Sequence, residues 1–378
     1  MNVTHTAKPG FLCLNKAASF LKLAAIAAVV TFASCDKDND NNNDPTSVIT
    51  PSGPKPAWGP TLTPQMQTVV EKLMVLTDST PIYKLTTEQA RSGPSAADAA
   101  KAVQSDYNIP TPASTVDTSG VEIPVTDGFI HARIYTPRTG KSSYPVIVYY
   151  HGGGFVIATV DTYNSSAQAF AEKTESVVVS VEYRKAPEYP FPTAHNDAYT
   201  AYTWVLNNGA AIKADTSKIA LAGESAGGNL AAATSMKAAE MGIKIPLYQV
   251  LVYPVANNDT TVASMTQYKD AIPLGRMDLT WFYSRYTPKP ADGDDPRISL
   301  VDKADLSRMP PTTIIAAEID PLQTEGKSLA DAMSAVGVTV DYRLYTGVTH
   351  EFFGMNTVIP EAKSAEDYAA SKLKDALK

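Results

Sequence analysis

Short apolar runs alternate with amphipathic or alanine-rich stretches along most of this chain, which is the pattern of strands alternating with helices. Residues 146–150 are continuously apolar or aromatic, as expected of a strand that is buried on both faces. Five later runs are also predicted as strands, at 176–181, 218–222, 248–253, 312–317 and 339–344. The alternation predicts a mostly parallel, doubly wound α/β sheet with helices on both faces.

Two earlier segments are predicted to add an antiparallel edge to this sheet. Residues 121–125 and 132–135 have the composition of strands, and the turn signal Thr-Asp-Gly at 126–128 lies between them. With this pair, the predicted sheet has eight strands.

Helices are predicted before the first strand. Thr63 and Pro64 have the residue types of an N-cap and a first helical position, and a second helical stretch covers about 87–105. We expect residues 61–110 to form an N-terminal helical cap on a catalytic domain at 111–378. Residues 257–290, irregular except for an aromatic helix near their end, are expected to be an insertion that contributes to this cap.

The hexapeptide Gly-Glu-Ser-Ala-Gly-Gly at 223–228 lies between the strand at 218–222 and a helical stretch at 229–241. A strand that becomes a helix within about two residues forces Ser225 into a strained conformation with its side chain projecting outwards, and glycines on both sides keep Cβ atoms out of the corner. The serine then lies at a helix N-terminus, where the dipole favours negative charge. The pattern predicts a nucleophile elbow; the alternative is a tight glycine turn with a solvent-facing serine.

A second glycine-rich segment, His-Gly-Gly-Gly-Phe at 151–155, directly follows the buried strand at 146–150. Three consecutive glycines permit a backbone whose N–H groups converge in a cleft. A tetrahedral oxyanion requires such donors, each of which contributes about 3 kcal/mol of transition-state stabilisation. The alternative is a flexible loop between a strand and a helix.

An activated serine of this kind has its acid and then its base later in the chain. His350 is the single histidine after Ser225, so order alone selects it as the base. We expect His151 and His195 to be structural, because the first belongs to the glycine segment and the second to the start of a helix.

Asp320 is the candidate acid, at the end of the strand that begins at 312. An aspartate before a proline is also a good helix N-cap, and a capping position would fix the carboxylate rigidly. Glu318 is the competing acid, because it lies two residues earlier on the same strand face.

These motifs together resemble the hormone-sensitive-lipase-like (bacterial family IV) esterases of the α/β-hydrolase superfamily. The resemblance covers about residues 61–378. It also includes the segments 183–188, 189–192, 295–297 and 320–322. It implies an α/β-hydrolase fold and a carboxylesterase-type serine hydrolase that cleaves short- to medium-chain acyl esters through an acyl-enzyme intermediate.

The resemblance also implies roles for individual residues. The expected catalytic residues are Ser225, Asp320 and His350, and the expected oxyanion donors are the backbone N–H groups of Gly153, Gly154 and Ala226. The sequence departs from the family pattern at two places: Lys185 stands where leucine is usual, and Glu351 stands where a glycine often follows the catalytic histidine.

Charged residues beside these motifs are expected to support the structure. We expect Arg184 to pair with Glu188, Asp197 to be a buried support, and Glu224 to be a structural hydrogen-bonding group; a second base is the alternative for Glu224.

The N-terminus has the composition of a targeting segment. Lysines precede an apolar stretch at 23–34, which ends in small residues before Cys35 and resembles a bacterial lipoprotein cleavage site. We expect residues 1–34 to be a lipoprotein signal peptide, Cys35 to be lipidated, and residues 35–60 to be an acidic and proline-rich flexible tether. This places the protein in the cell envelope, at the outer membrane or cell surface; an ordinary secretory signal is the alternative.

The composition and charge of the chain limit which kinds of ligand and partner are expected. The 378 residues are 44% hydrophobic, with a net charge of −7 and no basic cluster, so nucleic acid is not an expected partner. No metal or cofactor is expected. The expected substrate is a small ester; the alternatives are an acylated glycan, for a deacetylase or feruloyl-type esterase on extracellular polysaccharide, and a non-catalytic binding protein. The oligomeric state is left open, with a dimer as one option.

Overall fold

Eight strands form one sheet in the computed structural model of the chain, which describes residues 44–378. The strands are β1 (Val116–Val125), β2 (Gly128–Pro137), β3 (Tyr144–Tyr150), β4 (Val177–Val181), β5 (Ala214–Glu224), β6 (Tyr248–Val252), β7 (Thr312–Ile319) and β8 (Val340–Thr349). Their order across the sheet is β1-β2-β4-β3-β5-β6-β7-β8. Strand β2 pairs antiparallel with β1 and β4, and all other neighbours are parallel. The predicted mostly parallel, eight-stranded sheet is confirmed.

Twelve α-helices connect and cover the strands within the described residues. They are α1 (Pro64–Leu76), α2 (Thr87–Ser92), α3 (Ala96–Asp106), α4 (Asn164–Thr174), α5 (Thr193–Asn208), α6 (Ala226–Glu240), α7 (Ala263–Gln267), α8 (Arg276–Tyr286), α9 (Pro290–Gly293), α10 (Leu300–Lys303), α11 (Gln323–Ala335) and α12 (Pro360–Ala376). The helical stretch predicted at about 87–105 is two helices, because Gly93 and Pro94 interrupt it.

Alternate residues of the central strands pack into two separate cores, one on each face of the sheet. Val146 and Val148 of β3 lie in a core with α5, α6 and α11, whereas Ile147 and Tyr149 lie in a core with α1, α4 and α12. Since successive strand side chains point to opposite faces, a continuously apolar strand requires helices on both sides.

The segment at 44–60, expected to be part of a flexible tether, instead packs against the body of the protein. Ile49 is buried in the core beside α1, and the backbone N–H groups of Ser52 and Gly53 donate to the Glu71 carboxylate at 2.7 and 3.1 Å. The burial of Ile49 and the hydrogen bonds to Glu71 of α1 hold this segment in place, although its acidic and proline-rich composition suggested no fixed contacts. The predicted signal peptide at 1–34 and Cys35 lie outside the described residues, as do residues 36–43.

Helices α1–α3 and helix α8 line the same cavity. The Tyr83 N–H donates to Asp278 at 3.1 Å, and the Trp281 indole donates to the Leu85 carbonyl at 3.0 Å. Two segments far apart in sequence are therefore joined above the carboxyl edge of the sheet. None of the helices within residues 44–378 is long and apolar enough to cross a bilayer.

Candidate active site

Ser225 occupies the sharp turn between β5 and α6. Its backbone has φ 56° and ψ −119°, a conformation that costs a non-glycine residue about 1–3 kcal/mol. Neighbouring segments hold it there: the Ser225 N–H donates to the Val252 carbonyl at 2.9 Å, and its own carbonyl accepts from Asn229 and Val255 at 3.2 Å each. The nucleophile-elbow geometry predicted from the hexapeptide is therefore present.

Glycines flank this turn because other backbone atoms occupy the space of a side chain. A Cβ at Gly223 would lie 2.1 Å from the Gly227 carbonyl oxygen, and one at Gly227 would lie 2.0 Å from the Tyr150 carbonyl oxygen. Helix α6 can thus begin directly against the end of β3, which brings Ser225 next to the glycine segment at 151–155.

We expect Gly227→Ala to lower the free energy of unfolding by about 3 kcal/mol, since the new methyl group meets backbone that cannot move away. Thermal or urea unfolding measures the change. Gly326→Ala is the matched control, because Gly326 is also helical but a Cβ there would have neighbours no closer than 3.8 Å. An equal loss of stability in both variants would contradict this account.

The three residues predicted as a triad are joined by hydrogen bonds. His350 Nε2 lies 3.0 Å from Ser225 Oγ, and His350 Nδ1 lies 2.7 Å from Asp320 Oδ2. A carboxylate can only accept, so Nδ1 carries the proton and Nε2 of the neutral ring is free to accept from the serine hydroxyl. All three side chains are buried, and the arrangement can transfer a proton from Ser225 to His350.

The structure distinguishes between the two candidate acids. Besides contacting His350, Asp320 accepts the Leu322 N–H at 2.8 Å through Oδ1. Glu318 instead accepts from the Thr61 hydroxyl at 2.9 Å and from the Gly347 N–H at 2.7 Å. Asp320 is therefore the partner of His350. It is not the N-cap expected from the sequence, because α11 begins at Gln323 with Leu322 as its N-cap. Glu318 instead joins β8 to the segment before α1.

The electrostatic environment of His350 favours its charged form. Burial by itself disfavours the imidazolium, but the Asp320 carboxylate outweighs burial and raises the pKa of His350 above its ordinary value of 6.5. An imidazolium formed beside Ser225 would be stabilised in place.

The glycine segment at 151–155 folds into a turn beside Ser225. Gly153 and Gly154 have φ values of 96° and 58°, which side chains with a Cβ rarely tolerate. Both residues line the same cavity as Ser225. Within residues 44–378, no hydrogen bond uses the N–H groups of Gly153 and Gly154, and the Ala226 N–H is a first-turn donor of α6. These three groups are available as oxyanion donors.

His151 and His195 lie near the site but form hydrogen bonds with groups outside the triad. His151 Nδ1 lies 2.7 Å from the Gly152 carbonyl, and His195 lies 2.6 Å from the Tyr286 hydroxyl and 2.9 Å from Asn229 Oδ1. Burial lowers the pKa of each to about 4, so both are neutral at pH 7. Their surroundings agree with the structural roles expected for them.

Glu224, next to the nucleophile, is held by two tyrosines that the sequence did not identify. Tyr149 donates to Glu224 Oε1 at 2.6 Å, and Tyr253 donates to Oε2. Burial raises the pKa of Glu224. Tyr149 lies on β3 and Tyr253 directly follows β6, so only strand order could have placed both on this carboxylate.

One predicted ion pair was wrong. Arg184 pairs with the buried Asp197 at 2.6 Å rather than with Glu188, which pairs with Arg91 of α2 at 2.7 Å. A glutamate four residues away was the nearest candidate in sequence, but the fold brings a carboxylate of α5 closer.

A cavity of about 770 Å³ opens above Ser225 and His350. Helices α1–α3 and α8 contribute to its walls. Phe282 of α8 packs so closely on Gly154 that a Cβ there would lie 2.3 Å from the ring. Apolar side chains predominate; they include Leu73, Leu76, Ile82, Leu85, Met277 and Phe282. The cavity can exclude water from an apolar group bound next to the serine.

A sequence profile of the alpha/beta hydrolase fold family matches residues 147–354, which is more than half of the chain. The chain belongs to this family. It is 37% identical to Carboxylesterase NlhH of Mycobacterium tuberculosis over 251 residues, 66% of this chain and 79% of that protein. It is 33% identical to Ethyl acetate hydrolase of Pseudomonas putida over 248 residues, 65% of this chain and 78% of that protein.

Solved structures of esterases resemble the described fold. A hyperthermophilic esterase from the archaeon Pyrobaculum calidifontis has a TM-score of 0.75 and 35% identity, over 83% of this chain and 98% of that chain. A thermostable esterase from Pseudomonas putida has a TM-score of 0.76 and 28% identity, over 84% of this chain and 98% of that chain. The resemblance to hormone-sensitive-lipase-like esterases is thereby confirmed at the level of the family.

Proposed function

We propose that this alpha/beta hydrolase is a serine carboxylic ester hydrolase that works through an acyl-enzyme intermediate. The observation that carries the proposal is the hydrogen-bonded chain from Ser225 Oγ through His350 to Asp320, at the floor of an apolar cavity. The carboxylesterase and esterase relatives support it.

The chemistry follows from the geometry in two half-reactions. Ser225 Oγ forms a bond to the acyl carbon while its proton passes to His350 Nε2, and the carbonyl oxygen becomes an oxyanion near the free N–H groups. The bond to the leaving oxygen then breaks, and His350 gives the proton to that alkoxide. In the second half-reaction, water attacks the acyl carbon and gives a proton to His350, and that proton returns to Ser225 Oγ as the bond to the acyl group breaks. Asp320 keeps the imidazole oriented in both half-reactions and stabilises its cationic form.

The cavity favours small esters with apolar acyl or alcohol parts. Its volume of about 770 Å³ and largely apolar walls suit short- to medium-chain acyl groups better than a hydrated polysaccharide. An acetylated or feruloylated glycan is the second candidate, motivated by the N-terminal targeting sequence. Comparing rates on acetylated xylan and on soluble esters separates the two; preference for the polymer would favour the glycan.

The test of the function is a panel of p-nitrophenyl esters from acetate to decanoate, together with labelling by a fluorophosphonate probe. We expect hydrolysis of the shorter esters and covalent labelling that peptide mapping assigns to Ser225. A properly folded protein that neither hydrolyses any of these esters nor reacts with the probe would be a binding protein instead.

The hydrolytic rate should depend on the charge of His350. The neutral ring is the base, so kcat/KM falls as the pH is lowered through the pKa of His350 in the free enzyme. Because that pKa is raised, we expect the midpoint of the acid limb above 6.5. Initial rates on p-nitrophenyl butyrate from about pH 5 to 9 at constant ionic strength measure it, and a midpoint below 6.5 would contradict the pKa direction.

We also propose that the protein is a lipid-anchored lipoprotein of a bacterial envelope. The basic and apolar stretches before Cys35 and the small residues next to it support this. We expect palmitate labelling and membrane fractionation of the full chain expressed in a bacterium, and loss of both in Cys35→Ser. Equal palmitate labelling of the wild-type protein and the Cys35→Ser variant would exclude lipidation at Cys35.

A further inference from the structure

Glu351 directly follows His350 in the histidine loop, which we define as residues 350–354 after β8. Its φ of 66° lies in the left-handed region, which costs a residue with a side chain about 1 kcal/mol more than glycine. Glu351 therefore holds a conformation that suits glycine better, and a compensating contact of its side chain is to be expected.

That contact is made with Tyr163, the N-cap residue of α4. The Tyr163 hydroxyl donates to Glu351 Oε1 at 3.1 Å. Burial, reinforced by the nearby Glu351 carboxylate, raises the pKa of Tyr163 well above its ordinary value, so the hydroxyl keeps its proton and remains the donor.

The same tyrosine packs against Gly152 of the glycine segment, and Gly152 in turn lies close to the backbone of the elbow. A Cβ at Gly152 would lie 2.3 Å from the Tyr163 hydroxyl oxygen and 3.2 Å from the Glu224 carbonyl oxygen. The ring of Tyr163 thus touches the glycine segment at the point where that segment approaches the elbow. One hydrogen bond connects this contact to the histidine loop.

We propose that Glu351 is a positioning residue: through its hydrogen bond with Tyr163, it fixes the histidine loop relative to the glycine segment. The base and the oxyanion donors lie on separate loops, and both must be held in register with Ser225 when the tetrahedral intermediate forms. A misplacement of about 1 Å between such groups can lower the rate about 100-fold. The inference rests on the proposed esterase function.

A double-mutant cycle tests the connection. We expect Tyr163→Phe and Glu351→Ala each to lower kcat on p-nitrophenyl butyrate about 10-fold or more, with KM changed less than about threefold, because the register matters in the transition state. The double variant should be no slower than the slower single variant. If the two losses multiply, the residues act independently and the proposal is overturned.

Two further replacements separate positioning from stability. Glu351→Gln keeps an acceptor for the Tyr163 hydroxyl and should retain kcat within about threefold, whereas Glu351→Gly relieves the backbone strain but should lose kcat as Glu351→Ala does. Thermal unfolding is recorded for every variant. A Glu351→Gly variant with wild-type kcat, or a Glu351→Gln variant as slow as Glu351→Ala, would overturn the proposal.

Tyr107→Phe is the matched control for loss of a hydroxyl. The Tyr107 hydroxyl donates to the Thr50 carbonyl at 2.9 Å, outside the active site, so this variant should keep the wild-type kcat. A loss of kcat there equal to that in Tyr163→Phe would also overturn the proposal. An inactive wild-type enzyme would instead refute the esterase function itself, and this inference with it.

Discussion

Ser225→Ala is expected to lower kcat/KM for p-nitrophenyl butyrate by at least about 10⁴-fold, which corresponds to about 5.5 kcal/mol of lost transition-state stabilisation. Alanine removes the atom that forms the acyl bond, and His350 cannot replace it. Binding and the oxyanion donors remain, so residual hydrolysis above the rate in water is expected. Steady-state kinetics and loss of fluorophosphonate labelling are the measurements.

Ser235→Ala is the control for this variant. Ser235 is a buried serine of the same helix, α6, and its hydroxyl donates to Gln249 at 2.8 Å. Its replacement should affect stability and leave kcat/KM nearly unchanged. Ser225→Ala with more than about a tenth of the wild-type activity would exclude Ser225 as the nucleophile.

Asp320→Asn is expected to lower kcat/KM by about 10³–10⁴-fold while leaving the fold intact. The amide can donate to Nδ1 and so favours the wrong tautomer of His350, and the negative charge that stabilises the imidazolium is lost. The Asp320 carboxylate also raises the pKa of His350 against the effect of burial, so its removal should move the acid limb to lower pH. The pH profile of the residual activity measures this shift.

Glu318→Gln is the matched control, since it removes the charge of the carboxylate that competed with Asp320 in the sequence. Its partners are Thr61 and Gly347, so we expect a small change in stability and a pH profile like that of the wild type. A larger loss of rate in Glu318→Gln than in Asp320→Asn would assign the acid to Glu318.

Backbone strain is combined with stabilising hydrogen bonds at two places in the site, the elbow and the histidine loop. Ser225 and Glu351 both have positive φ, and each is held by hydrogen bonds from segments distant in sequence. Backbone strain of this kind persists only where surrounding structure determines it, and here the surroundings are the strand ends and Tyr163. The positions of the reacting atoms thus depend on contacts with residues that are distant in sequence and take no part in the proton transfer.

The sequence alone determined the parts of this protein that depend on local pattern and on chain order. Apolar runs on alternating segments gave the sheet, because burial on two faces requires them. Glycines at 153 and 154 and around Ser225 marked the turns, because no other residue fits there, and chain order left His350 as the one candidate for the base. Asp320 remained in competition with Glu318, because both lie at the end of one strand.

Only the tertiary structure decided which distant groups meet. The partners of Asp320, Glu224 and Arg184 are set by strand order and helix packing, so spacing along the chain could not reveal them. The same holds for Ile49, which fixes a segment with the composition of a tether, and for the contact of Glu351 with Tyr163. Contacts between residues far apart in the chain depend on how all the intervening elements pack, and no local pattern encodes that.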